Sequence, residues 1–268
     1  MIEIFLIKPF LALILITICC CFIGVFVLWK KLAYFGDGLS HSILLGFVLG
    51  AIFNSDQIYA LIIFACCFAI FVELLSMNRS FSKDTVIAIS SYFCIAAAIL
   101  LNDFTQKNLN LGSYVFGDIL TVSESDLKAL SVITLITILY TIFAFKKILL
   151  ININSDLAKI DGIKITFWNL SFMILLALTV ALSVRIVGVF LMTALLVLPA
   201  AIARIFSVSA KQMILFSSIL GLIVTSSSLK IASSLNLSIG AVIIMVFCII
   251  FIFSLIFKNL RSPYEQKQ

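Results

Sequence analysis

Long apolar runs separated by short polar breaks set the rhythm of this chain and predict its elements. Nine runs occur, at about residues 10–29, 35–53, 58–76, 85–101, 127–145, 165–184, 186–203, 212–229 and 238–257. A helix needs roughly 20 apolar residues to cross a hydrocarbon core of about 30 Å, so each run predicts one crossing. The breaks carry turn-forming residues: Asn54 to Gln57 after the second run, Met77 to Lys83 after the third, and Ser183 to Gly188 between the sixth and seventh. One further apolar piece, Leu111 to Val122, is too short to span and is interrupted by Gly112 and Gly117, which predicts a re-entrant or interfacial helix. Ser123, followed three residues later by Asp126, has the spacing of a helix start. The expected fold is all-α, a polytopic helical membrane protein of about eight or nine transmembrane helices with that one short extra helix. All of residues 1–268 then form a single transmembrane domain.

Composition sharpens this picture. At 63% hydrophobic residues and a mean hydropathy of +1.29, the chain is far more apolar than a soluble domain, whose apolar share is about 45–50%. The first run is a span rather than a removable leader, because no small-residue cleavage site follows it and Trp29, Lys30 and Lys31 form an interfacial stop. The net charge of +6 comes from basic residues at span ends, so it reports topology and predicts no nucleic-acid partner. With Lys30 and Lys31 placed inside, alternation of the nine runs leaves only Lys8, Lys107, Lys128, Arg185 and Lys230 outside, out of 18 Lys and Arg. That imbalance predicts an N-terminus outside and a C-terminus inside. The seven cysteines all fall within apolar runs and none is spaced C-x-x-C, so they read as small buried hydrophobes. Glu73 is expected to reach toward Arg79 or Lys83 at the inner boundary, and Pro199 to bend the seventh run.

The chemistry concentrates in Tyr34 to Gly50, YFGDGLSHSILLGFVLG. It contains His41, the only histidine, four residues after Asp37. Residues at i and i+4 share a helix face, so the carboxylate and the imidazole can offer oxygen and nitrogen to one borderline divalent ion such as zinc or manganese. Counting about 1.5 Å per residue from Lys31 puts His41 near mid-membrane, the depth at which transporters hold substrate. Gly36, Gly38, Gly46 and Gly50 leave the other faces open to close helix approach. Asp118 and Ser40 are further candidates to line a pathway, although Asp118 equally suits a solvated cap. The stretch Asn152 to Lys164 predicts a short surface helix, with Ser155 or Asp156 at its start, Ala158 inside and Gly162 at its end. A helix so short has little of its own chain to pack on, and it reads as a docking element.

In WKKLAYFGDGLSHSILLG, SYVFGDILTVSESDL, DLAKIDGIK and VGVFLMTALLVLPAAIAR, the chain resembles the permeases of bacterial zinc ABC importers, a metal-transport family shared with manganese and iron importers. The similarity runs from about Trp29 to the C-terminus. It implies a homodimeric permease of the bacterial inner membrane, serving metal homeostasis. Its partners would be a cytoplasmic ATPase subunit and an extracytoplasmic zinc-binding protein, within membrane lipid. Asp37 and His41 match the family's G-D-x-x-x-H metal site, and Ser155, Asp156, Ala158, Asp161 and Gly162 fall in the loop expected to dock the ATPase. Ile43-Leu44-Leu45-Gly46 is similar to the zinc branch, whereas manganese and iron members tend to a V-L-P-G context. The last run opens with Asn236 and Ser238, where an aspartate and a proline are usual.

Zinc would be the transported substrate, and no tightly bound cofactor is expected. No G-x-x-x-x-G-K-[ST] occurs, so the chain is expected to be a transport subunit rather than an enzyme, with ATP hydrolysed by another polypeptide. Two other readings stand beside the zinc permease. One is a manganese or iron permease of the same family; the other is a proton-coupled secondary metal transporter using Asp37 and His41. An intramembrane metallo-enzyme would need ligands such as H-E-x-x-H that are not here.

Overall fold

The computed structural model describes residues 7–76, 82–105, 109, 112, 117 and 119–265. Within them the chain is helical: α1 (Ile7–Trp29), α2 (Ala33–Ile52), α3 (Gln57–Ser76), α4 (Lys83–Thr105), α5 (Glu124–Ile153), α6 (Ser155–Ile160), α7 (Ile165–Phe206), α8 (Ala210–Leu235) and α9 (Ile239–Glu265). A 3-10 turn, Ile119–Thr121, precedes α5. All but α6 are long and apolar enough to cross a membrane, which makes eight such helices among the described residues.

The sixth of these helices hides a further crossing. At 42 residues α7 would be about 63 Å long if straight, twice the hydrocarbon thickness. Gly188 breaks it, with φ 79° and ψ 167°. Contacts with α1 give the direction of each half. In the first half, Asn169 accepts from Lys30 Nζ at 2.6 Å and the Phe172 ring lies 6.3 Å from that of Phe26, so α7 ascends while α1 descends. In the second half, Met192 meets Cys20, Leu196 meets Gly24 and Ala200 packs on Val25, so the two helices run the same way. The chain therefore reverses at Gly188, as the break at Ser183 to Gly188 predicts, and nine crossings result among the described residues. The reversal is not an exposed loop, since Ser183, Val184, Ile186, Val187 and Gly188 are all buried. Gly117, itself at φ +70°, lies on top of it, and a Cβ there would overlap the backbone of Val187 and Gly188.

Both membrane faces are tied together by polar contacts at helix ends. Lys8 pairs with Glu124 at 3.1 Å, and Arg185 lies 3.5 Å from the buried Asp126. Ser123 and Asp126 form a reciprocal capping box, as their spacing anticipates. At the opposite face Glu73 takes Lys83 at 2.9 Å, while Arg79 lies outside the described residues. Asn54 to Gln57 form an exposed turn, in which the Asp56 carboxylate accepts from Ile58 N. The cysteines are all free, and most are buried as expected, but Cys67 is exposed and Cys66 and Cys248 are half-buried, because they sit on helix faces that the rest of the chain leaves uncovered. Half of the expected helix over 111–122 falls outside the described residues.

Candidate metal site and docking helix

Four glycines in twenty residues make α2 a poor helix in isolation, since each costs about 1 kcal/mol against alanine. Packing offsets that cost. A Cβ added at Gly36 would lie 2.6 Å from Leu196, at Gly38 2.5 Å from Ile87 and 2.6 Å from Ser91 Oγ, at Gly46 2.8 Å from Phe64, and at Gly50 2.8 Å from Ala60. The glycines thus let α7, α4 and α3 press against α2 almost backbone to side chain, as expected for membrane helices. Gly38→Val is expected to push α4 away and cost about 1–3 kcal/mol, read as a lowered thermal midpoint of the purified chain in detergent.

This close wrapping buries nearly every face of α2 between Phe35 and Val48. Tyr34, Asp37 and His41 are left, one above another at spacings of three and four residues, as a single accessible stripe. Asp37 Oδ1 lies 3.8 Å from His41 Nε2, and their side chains keep 41% and 33% of their exposure. At 3.8 Å this is no hydrogen bond. It is, however, only a few tenths of an ångström beyond the edge of a zinc tetrahedron, roughly 3.4 Å for bonds of about 2.0–2.2 Å. A divalent ion can therefore bridge the two side chains with a small rotamer adjustment. Among the described residues no third His, Cys, Asp or Glu joins them to make a larger metal-holding group.

The stripe has neighbours that sequence reasoning passed over. Tyr92 on α4 lies close enough to the Tyr34 hydroxyl to act on it electrostatically, and an open cleft of about 370 Å³ beside Tyr34 is lined by Asp84, Thr85, Ala88 and Ile89. These residues lie some fifty positions from Tyr34 and carry no local signal; only the α2–α4 contact brings them here. Ser40 is fully buried, its hydroxyl donating to the Gly36 carbonyl at 2.7 Å. Asp118 lies outside the described residues.

The short surface helix is present as α6 and starts at Ser155, as expected. Its N-cap is the residue before, Asn154, whose side chain accepts from Asp156 N and Leu157 N. Asn154 is extended and sits one residue before the helix, so its oxygen reaches back-donated N–H groups that Ser155, already helical, cannot. Gly162 ends the unit at φ +73°, the left-handed position a C-terminal glycine serves. Ala158 is fully buried and holds α6 down. Ser155, Asp156, Asp161 and Gly162 are exposed. So are Leu157 at 51% and Ile160 at 80%, two apolar side chains that the sequence reading did not single out.

Comparison with known proteins bears on both features. The model of the ABC 3 transport family matches residues 2–258. The high-affinity zinc uptake system membrane protein ZnuB of Haemophilus influenzae is 32% identical over 240 residues, 89% of this chain and 92% of that protein. The manganese import system permease protein ScaB of Streptococcus gordonii is 31% identical over 233 residues, covering 87% and 84%. Among solved structures, PsaBC from Streptococcus pneumoniae in complex with Fab superposes with a TM-score of 0.82 at 29% identity, over 94% of this chain and 91% of that one.

Proposed function

Because this chain belongs to the ABC 3 transport family, we propose that it is the membrane permease subunit of an ATP-binding-cassette importer that carries zinc into the cytoplasm by alternating access. The observation that supports this most directly is the Asp37–His41 pair, two metal-competent side chains 3.8 Å apart in the first half of a mostly buried helix. The zinc reading is favoured over manganese by the imidazole in the ligand set, and over manganese and iron by the zinc uptake proteins among the relatives.

Polar groups at that depth do not face lipid without a partner or a water-filled space. Two ligands also leave a zinc ion short of its usual four. Both needs are met if a second copy of the chain brings its own Asp37 and His41 to a shared axis, with water completing the shell where the ion moves on. Two ligands per copy hold an ion less tightly than a closed site would, which suits a site that must release. The Lys30 face, which gathers Lys31, Lys83, Lys146, Lys147, Lys159, Lys164, Arg204, Lys211 and Lys258, is then the cytoplasmic one, with the N-terminus outside and the C-terminus inside. Zinc arrives from an extracytoplasmic binding protein and leaves past Tyr34 and Asp84.

The segment 152–164, with α6 at its centre, couples this single transmembrane domain to a separate ATPase subunit. Leu157 and Ile160, exposed on a six-residue helix outside the membrane, supply the apolar contact. Ile160→Glu is expected to weaken capture of the ATPase subunit at least tenfold in a pull-down from detergent, while the chain still inserts and keeps its thermal midpoint. Unchanged capture would exclude α6 as the docking element.

The test of the whole reading is zinc uptake into vesicles carrying the chain, its ATPase and its binding protein. Uptake that requires ATP is expected. Uptake by the chain alone, driven by a proton gradient, would overturn the reading in favour of a secondary transporter.

A further inference from the structure

A second polar cavity, unrelated to the Asp37–His41 stripe, opens at the Lys30 face. It holds about 310 Å³ and is bounded by the ends of α1 and α5 and the starts of α4, α6 and α7. Its polar lining is Lys30, Lys31, Lys83, Asn152, Ser155 and Asn169. Three ammonium groups share it, and no carboxylate is among its lining residues. The nearby carboxylate of Glu73 is already taken by Lys83 at 2.9 Å. Lys30 donates to Asn169 Oδ1 at 2.6 Å, which uses one lone pair of that oxygen and leaves the amide nitrogen as a donor. The Asn152 amide nitrogen is buried and has no hydrogen-bond partner. Leaving such a donor unmet costs about 1–3 kcal/mol, so the cavity is rich in donors and short of acceptors. Burial, reinforced by the neighbouring charge of Lys83 and only partly offset by Glu73, lowers the pKa of Lys30 to about 8.

We propose that this cavity binds the phosphate group of an anionic membrane lipid, held by Lys30, Lys31 and the Asn152 amide. A phosphate fits because it offers several acceptor oxygens and a negative charge to donors that converge from different helices. A lipid fits because the cavity lies where spans end, beside Trp29, an indole of the kind that anchors at the membrane boundary. Leu32, Ile151, Ile165 and Met173 supply an apolar side to the same cavity, suited to the glycerol and the first methylenes of an acyl chain. Basic pockets between helices at the membrane surface are the usual receptors for such headgroups. The site touches α6 through Ser155, so an occupied cavity would also brace the docking helix.

The experiment uses the purified full chain in neutral detergent and measures retained lipid by native mass spectrometry, with phosphatidylglycerol and phosphatidylcholine offered in equal amounts. Wild type is expected to retain phosphatidylglycerol preferentially. Lys30→Gln with Lys31→Gln should reduce that preference by about tenfold or more, at roughly fivefold for each lysine near the membrane surface. Asn152→Leu, which keeps both lysines, should reduce it as well. Lys146→Gln with Lys159→Gln, the same charge change outside the cavity, should leave it intact. Thermal midpoints in phosphatidylcholine check that each variant is folded. Inorganic phosphate serves as the other probe. If it protects wild type through the same residues and displaces phosphatidylglycerol at millimolar concentration, the occupant is free phosphate; if only the lipid does, it is the headgroup. Equal retention of both lipids by wild type with no effect of phosphate overturns the proposal, as does an equal loss in the control pair.

Discussion

His41→Ala and Asp37→Ala are each expected to lower ATP-dependent zinc uptake by about 100-fold or more while leaving the protein folded. Loss of a partner that only supports a metal ligand already costs about 10–100-fold, and loss of a ligand should cost more. Folding should survive because neither side chain is packed: both keep a third or more of their exposure, and at 3.8 Å they share no hydrogen bond. The measurement is radiolabelled zinc uptake into vesicles containing the full complex, with size-exclusion profile and thermal midpoint as folding controls. Asp37→Asn separates two roles for the carboxylate. If Asp37 binds the ion directly, the neutral amide should restore little uptake; if it orients the imidazole, the amide should restore much of it. Wild-type uptake in both alanine variants would remove the site from this stripe altogether.

Gly24→Val should collapse the fold rather than the transport step. Gly24 sits where α1 and the second half of α7 touch, and a Cβ there would overlap the Leu196 carbonyl oxygen and lie 3.2 Å from its carbon. Both obstacles are backbone inside a helix, so neither can swing aside as a flexible side chain would. Overpacking of a filled core costs about 1–3 kcal/mol, and a backbone clash belongs at or above the top of that range. Against a total stability of about 5–15 kcal/mol, such a loss should appear as poor membrane yield and a large fall in thermal midpoint. Gly240→Ala is the comparison, because its Cβ would rest at an ordinary 3.7 Å from Leu191. That substitution should be neutral or add up to about 1 kcal/mol by stiffening the unfolded chain. Similar midpoints for the two variants would show that the α1–α7 contact is looser than the structure describes.

The nine crossings were legible in the sequence because the hydrocarbon layer gives every span one yardstick, and apolar length measures against it directly. The seventh is the instructive case. Helix continuity alone merges 165–206 into one element, whereas the polar break at Ser183 to Gly188 marks the reversal that the α1 contacts bear out. The Asp37–His41 pair was legible for a local reason: four residues along a helix return to the same face whatever surrounds it. The Ser123–Asp126 cap and the Gly162 terminus were readable on the same ground, since each is satisfied within its own turn.

The tertiary structure alone decided which side of α2 stays open. The glycines of α2 announce close approach, but only the packing assigns α7 to Gly36, α4 to Gly38 and α3 to Gly46 and Gly50, leaving Tyr34, Asp37 and His41 uncovered. Tyr92 and Asp84 reach that stripe, and Lys30 meets Asn152 and Asn169 around one cavity, only after helices distant in sequence have packed. Span number and a same-helix carboxylate–imidazole pair follow from period and length, which are properties of neighbouring residues. The covering of the site and the basic cavity are sums over contacts between remote segments, and no local pattern encodes those.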